Sequence, residues 1–267
     1  MATLVCFHAH PDDEAIATGG VMAKAASEGH RVVLVTATRG EQGEVPEGFL
    51  RPGEELWERR LVELAEAAKI LGVARHEILG YRDSGMMGTS DNEADGAFWQ
   101  ADLDEAAARL AAILTEEATD AVTIYDSNGN YGHPDHIQVH RVGVRAAKIA
   151  GTGRVFEATV NRDAIGAQID EAARSGLIPK EQVDEMLQRG LREMGSPASV
   201  INTEVDVRPW IDLKRKALFV HASQVSEESW FAQMPPEAFE QGFGQEWFIL
   251  RDPPAGWKGV DLLEGLA

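Results

Sequence analysis

The chain has 267 residues, with 44 acidic against 25 basic side chains, a formal charge of −19 and a single cysteine. That length allows one α/β domain with an elaboration, or two small domains, and it buries roughly three quarters of its unfolded surface without staples. The lone Cys6 excludes a disulfide framework and a multi-cysteine metal site, and the acidic charge repels phosphate backbones, so no nucleic-acid partner is expected.

In chain order, Thr3 to Phe7 reads as a buried strand, Gly20 to Glu28 as a helix and Arg31 to Thr36 as the next strand. Glu54 to Leu71 carries apolar residues at helical spacing, Leu56, Leu61, Leu64, Ala68 and Leu71. Glu77 to Tyr81 reads as a third strand, Leu103 to Leu114 as an alanine-rich helix, Asp120 to Tyr125 as a fourth strand, His136 to Ile149 as a helix and Arg154 to Val160 as a fifth strand. Strands alternating with helices imply right-handed crossovers and a mostly parallel sheet.

After Asn161 the pattern changes. Ala164 to Ser175 and Lys180 to Arg192 read as polar helices joined by Gly176–Pro179, and Ser199 to Val207 alternates like an exposed strand. Trp210 to His221 returns to helix and Gln245 to Leu250 to strand. The expected fold class is α/β, a Rossmann-like, mostly parallel sheet with helices on both faces and a C-terminal helical insertion. It forms one domain over residues 1–267, in which 1–160 make the Rossmann-like core and 161–267 shape the substrate pocket. No run reaches the ~18 apolar residues that span a bilayer, so no membrane partner is expected. Met1 to Cys6 lacks the features of a secretory leader, which makes the cytoplasm the expected location. A homo-oligomer is compatible with all of this.

In an open parallel sheet, ligands bind outside the carboxyl ends of the strands. Two loops leave such ends with unusual residues: His8 to Glu14 after the first strand, and Tyr125 to His136 after the fourth. Five of the eight histidines, His8, His10, His133, His136 and His140, lie in them or just after the second. A zinc-like ion takes neutral imidazoles and a carboxylate and keeps an open position when it is catalytic; His10, Asp13 and His136 supply that set. Pro11 fixes the backbone, so the adjacent aspartates diverge, and Asp12 is the natural general base. His133 is suited to act as general acid or, protonated, to stabilise an oxyanion, and Tyr131 offers a phenol to the same oxyanion. Asp135 is placed to hold His133 or a ligand histidine in one tautomer. His8 is expected to be buried and structural, and Cys6 to lie in the core.

The pair His10-Pro11-Asp12-Asp13-Glu14 and His133-Pro134-Asp135-His136 resembles the two signature motifs of the LmbE/PIG-L-like N-acetylglucosaminide deacetylases. The likeness runs through most of residues 3–150. It includes Gly40-Glu41-Gln42-Gly43-Glu44, Arg82-Asp83-Ser84-Gly85-Met86 and Asn128-Gly129, and His221-Ala222-Ser223-Gln224 resembles a later stretch of the same branch. That branch holds the mycothiol-biosynthesis deacetylases and the mycothiol conjugate amidases. The resemblance implies Zn²⁺, or Fe²⁺, on His10, Asp13 and His136, Asp12 as base, and Tyr131 and His133 at the tetrahedral intermediate. It also implies an amino-sugar substrate touched by Arg60, Asp83 and Glu44, with Gln224 a further pocket residue. Ala17 stands where the amidases carry a lysine, which favours the deacetylase, while residues 46–58 and 160–210 depart from the family pattern.

Three other readings compete. His10, Asp12 and His136 imitate the two-histidine, one-carboxylate set of Fe(II) oxygenases, but those sites commonly occupy β-barrels. A non-catalytic sugar or nucleotide binder has no use for an acid/base set, and the nucleotide fingerprint is missing at Thr18-Gly19-Gly20. The conjugate amidase shares the chemistry and differs in substrate.

Overall fold

The structure, a computed structural model, describes residues 1–175, 193–226 and 229–266. Its strands are β1 (Thr3–His8), β2 (Arg31–Thr38), β3 (Arg75–Tyr81), β4 (Ala121–Tyr125), β5 (Arg154–Thr159), β6 (Thr203–Asp206) and β7 (Gln245–Leu250). They form one sheet in the order β3-β2-β1-β4-β5-β7-β6. The first five are mutually parallel, whereas β7 runs antiparallel to β5 and β6 antiparallel to β7.

The helices are α1 (Asp13–Ala17), α2 (Gly19–Ser27), α3 (Leu56–Ile70), α4 (Leu103–Glu116), α5 (Gly129–Gly132), α6 (Pro134–Ala150), α7 (Arg162–Ser175), α8 (Ile211–Val220), α9 (Trp230–Gln233) and α10 (Pro236–Phe243). Successive side chains of a strand face opposite sides, and each side of the sheet has its own core. Leu4, Cys6, Val32 and Leu34 meet α2, α3 and α8; Val5, Phe7, Val33 and Val35 meet α4 and α6. Cys6 lies fully inside the first of these cores. Both faces of the sheet are therefore covered, as a parallel sheet requires.

The local reasons are visible in the sequence. The α3 helix starts where the Glu58 side chain accepts the Glu55 N–H at 3.1 Å, half of a capping box. Pro134 occupies the first position of α6, so that helix begins two residues earlier than its apolar spacing predicts. The predicted strand over Ser199–Val207 shortens to β6, whose alternation of buried and exposed residues is that of a sheet edge. The region after Asn161 is thus not purely helical, because β7 and β6 extend the same sheet. The predicted helix Lys180–Arg192 and its Gly176–Pro179 connection lie outside the described residues. No helix among the described residues is long and apolar enough to cross a membrane.

β1 pairs with β2 on one side and β4 on the other. Strand order reverses there, and the loops leaving both carboxyl ends splay apart to open a crevice. The two histidine-bearing loops meet in it.

Candidate metal centre

Three acidic side chains crowd one imidazole. The Nε2 of His10 lies 3.2 Å from Asp135 Oδ2 and 3.5 Å from Asp83 Oδ1, and its Nδ1 lies 3.3 Å from Asp13 Oδ2. Asp135 is fully buried and fixed by the backbone N–H and hydroxyl of Ser84. It orients His10 rather than His133. The same Asp13 oxygen is 3.3 Å from His136 Nε2 and accepts the His10 backbone N–H at 2.8 Å. Nitrogen atoms of His10, His133 and His136 lie within 4.8 Å of one another.

Carboxylates accept hydrogen bonds and cannot donate them. Facing both ring nitrogens of His10, they demand either an imidazolium or a cation at Nδ1. Burial acts to lower the His10 pKa, but Asp83, Asp13 and Asp135 outweigh it and hold it well above the ordinary value. Burial acts to raise Asp13, yet His136 and His10 hold its carboxyl well below the usual range. The cluster therefore attracts positive charge. A tetrahedron whose corners stand 3.3 Å apart, as the Asp13 oxygen does from each imidazole nitrogen, has a centre-to-corner length of roughly 2.0 Å, the length of zinc–imidazole and zinc–carboxylate bonds. The Asp13 oxygen thus stands one such edge from a nitrogen of each of two imidazoles, a donor set of the kind that holds a divalent ion.

The second loop is tied by Asp126, whose Oδ1 accepts the N–H groups of Asn128 and Asn130 at 3.0 Å each. Gly129 turns it with φ of +64°; a Cβ there would stand 2.7 Å from the Cβ of His136, so only glycine lets the loop close over that ring. Tyr125 stacks on the other side of His136 with ring centroids 4.4 Å apart. His133 caps α6: its Nδ1 accepts the Asp135 N–H at 3.1 Å, so the ring proton sits on Nε2. Burial, helped by His10 and His136, lowers its pKa to about 4. His133 is thus a neutral N–H donor and not a protonated one, and with Nδ1 engaged in the cap it is no fourth ligand. Tyr131 is 48% exposed at the rim, its hydroxyl 3.5 Å from His136 Nε2.

Asp12 has φ of +116°, a conformation that costs a non-glycine residue about 1–3 kcal/mol and persists only where its surroundings enforce it. Its N–H donates to Glu14 Oε2 at 2.9 Å, and its Oδ2 accepts from Arg60 Nη2 at 3.1 Å. Burial pushes the Asp12 carboxyl up to about 6, with Arg60 opposing the rise. Arg60 is itself buried and also donates to the carbonyls of Pro11 and Gly40. Gly40, with φ of +69°, leaves room for it, since a Cβ there would sit 2.3 Å from the guanidinium.

The residues expected to touch sugar are thus placed differently from one another. Asp83 is buried beside His10 and accepts the Gly85 and Gln42 N–H groups. Arg60 stands behind Asp12. Glu44 is exposed, and its carbonyl accepts from Gln224. His8 is buried between Tyr125 and Thr18, and burial lowers its pKa to about 4. Sequence reasoning gave no role to Ser84, Glu14, Glu63 or His221. Glu14 and His221 are fully buried with Oε1 and Nε2 2.6 Å apart, and Glu63 binds the N–H and hydroxyl of Ser223. Glu14 was visible as the fifth residue of its motif, and Ser84 and His221 within stretches that resemble the family, though without a role; Glu63 carries no local signal.

The pattern that describes the family PIG-L, GlcNAc-PI de-N-acetylase, matches residues 5–147. The chain belongs to the PIG-L family. Within reach of this match lie all the residues of the crevice except those on α8 and beyond. A 1D-myo-inositol 2-acetamido-2-deoxy-alpha-D-glucopyranoside deacetylase of Acidothermus cellulolyticus is 41% identical, the match covering 98% of this chain and 96% of that one. Its counterpart in Streptomyces avermitilis is 40% identical over 99% and 97% of the two chains. Among solved structures, the N,N'-diacetylchitobiose deacetylase of Pyrococcus horikoshii shares the fold with a TM-score of 0.61 at 22% identity, over 93% of this chain and 83% of that one. A 4-carboxy-2-hydroxymuconate hydratase of Pseudomonas putida has a TM-score of 0.63 at 16% identity, over 96% and 98%. One PIG-L-like fold therefore carries more than one chemistry, and the site has to supply the function.

Proposed function

We propose that this PIG-L family member is a metal-dependent hydrolase that removes the acetyl group from an N-acetylglucosaminyl inositol. The observation that carries the reading is a carboxylate held beside a cation-seeking set of two imidazoles and one carboxylate. His10, Asp13 and His136 would hold the ion, Zn²⁺ or Fe²⁺, with Asp135 against His10 Nε2 favouring the tautomer that leaves Nδ1 free for it. A bound divalent ion supplies Lewis-acid polarisation of the acetyl carbonyl and lowers the pKa of water from ~15.7 to about 7.

Asp12 takes the proton as water adds to the carbonyl carbon. His133 Nε2–H and the Tyr131 hydroxyl donate to the developing oxyanion. Asp12 then returns its proton to the nitrogen as the carbon–nitrogen bond breaks, leaving acetate and a free amine. Asp83 and Glu44 are the sugar contacts of this reading, and Arg60 acts by positioning Asp12. The likeness to inositol-glucosaminide deacetylases at about 40% identity over nearly the whole chain supports the substrate class.

The test is acetate release from N-acetylglucosaminyl inositol and from a thiol conjugate, with metal analysis of the purified protein. Asp12→Asn is expected to lose ~10²–10⁴-fold in turnover and keep its metal, while His136→Ala loses metal and activity together. Cleavage of the conjugate alone would replace the deacetylase with the amidase. A metal-free active enzyme would end the reading.

A further inference from the structure

We infer that Glu14 and His221 form a buried positioning pair that sets the backbone of Asp12, so that the segment following α8 takes part in the hydrolytic step. This rests on Asp12 acting as the base. The two oxygens of Glu14 are divided: Oε2 accepts the Asp12 N–H at 2.9 Å and Oε1 accepts from His221 Nε2 at 2.6 Å. Both side chains are fully buried. Without the second bond, the Glu14 side chain is held at one oxygen only and its rotamer is no longer fixed, so the strained Asp12 backbone loses a firmly placed acceptor.

The placement of His221 is equally determined. It is the residue at which α8 ends. Lys214 of that helix pairs with Glu246 at 2.6 Å, and Glu246 also accepts the N–H groups of Gly20 and Val21 at the start of α2. Two residues past His221, Ser223 is held by Glu63, one turn from Arg60 on α3. One helix thus grips the Asp12 carboxylate directly and the His221 segment at its neck. His221 touches no reacting atom; it acts through Glu14.

The holoenzyme variants His221→Leu, His221→Gln and Glu14→Gln test this, with kcat, KM, bound metal and Tm as readouts. His221→Leu removes the donor and is expected to lower kcat about 10–100-fold with KM and metal content unchanged. His221→Gln keeps an N–H donor and is expected to recover most of kcat. The double variant Glu14→Gln/His221→Leu should be no slower than Glu14→Gln alone, as members of one unit are not additive. The pair is overturned if His221→Leu stays within twofold of wild type, if His221→Gln is as slow as His221→Leu, if metal is lost in step with activity, or if the two losses add. Should His221→Leu fail to fold, Glu14→Gln decides on the same readouts. An active Asp12→Asn would sink the hydrolytic reading itself; an inactive Asp12→Asn beside a fully active His221→Leu would sink only the pair.

Discussion

The two loops that meet at the switch point are stabilised on opposite plans. The first, His8 to Glu14, is braced from outside: Arg60 reaches it from α3, Asp135 from α6, and His221 through Glu14. The second, Asp126 to His136, takes outside help at Asp135 from Ser84 and at Asp126 from Thr159, but its Tyr131–His133 stretch is shaped by the Asp126 turn and by the cap that His133 places on its own helix. A helix N-terminus presents free N–H groups that a nearby side chain satisfies without distant help. The left-handed Asp12 has its local acceptor in Glu14, and that side chain is in turn held by the distant His221. The difference teaches that the base depends on remote side chains, whereas the oxyanion donors depend on their own turn.

Arg60 gives the largest way to break this contrast. Arg60→Ala strands the Asp12 carboxylate and the Pro11 and Gly40 carbonyls together, and turnover is expected to fall by about 10³-fold, within the range of losing the base itself. Arg60→Lys should rescue little, because one ammonium cannot reproduce a fork that serves three acceptors. Kinetics at saturating substrate separate this from sugar binding: a contact residue raises KM and spares kcat, and that result would remove Arg60 from the first loop's supports.

What could be read beforehand follows the same division. The five parallel strands and the faces of α3, α4 and α6 were legible, because a two-sided sheet demands apolar runs and helices that cover it demand apolar stripes. The convergence of His10, Asp13, Asp135 and His136 was legible from two motifs placed at strand ends, whereas Asp83, read as a sugar contact, was not foreseen beside His10. The partners of Asp12 were not. Arg60 read as a sugar contact, and Glu14 and His221 carried no assigned role, since burial of a charged group is a property of tertiary packing that no local spacing encodes. His133 shows a subtler gap. Its residue type permits a protonated or a neutral imidazole, and only the Asp135 N–H at Nδ1 decides for the neutral one. The β6–β7 hairpin-like edge was half legible: alternation marked the strand over 203–206, but its antiparallel partner lies some forty residues on, and pairing across that distance leaves no trace in either segment.

The second loop yields the next prediction. His133 does two things, capping α6 with Nδ1 and offering Nε2–H to the site, and the two are separable. His133→Ala should lose about 1 kcal/mol of stability, a Tm drop of roughly 2–4 °C in a chain of this size, and ~10²-fold in turnover. His133→Asn, a good cap, should restore the melting temperature and not the rate. Recovery of both would show that the cap alone matters and that the second loop contributes no donor to the oxyanion.

The smallest effect lies at the opposite end of the sheet and sets the scale for both loops. Arg31 and Arg75 open β2 and β3, and both donate to Glu117 beyond α4, at 3.0 and 2.8 Å for their Nη groups. The Arg31 hydrogen bond leads, with Arg75 behind it, in holding the Glu117 carboxyl down at about 2. A depressed folded-state pKa stabilises above the ordinary glutamate value of ~4.3 and loses that contribution as pH falls toward the folded value. Because Arg31 is 39% exposed, the gain is screened and amounts to ~0.2–1 kcal/mol. Glu117→Gln should therefore lower Tm by at most a few degrees at pH 7, and the gap to wild type should narrow as pH drops from about 4.3 toward 2. Turnover should not change. The parallel strands send their carboxyl ends to the chemistry and their amino ends to this charge cluster, so a Glu117 variant with altered kcat would mean that the two ends of the sheet are mechanically linked, and effects of the loop variants would then have to be measured against that background.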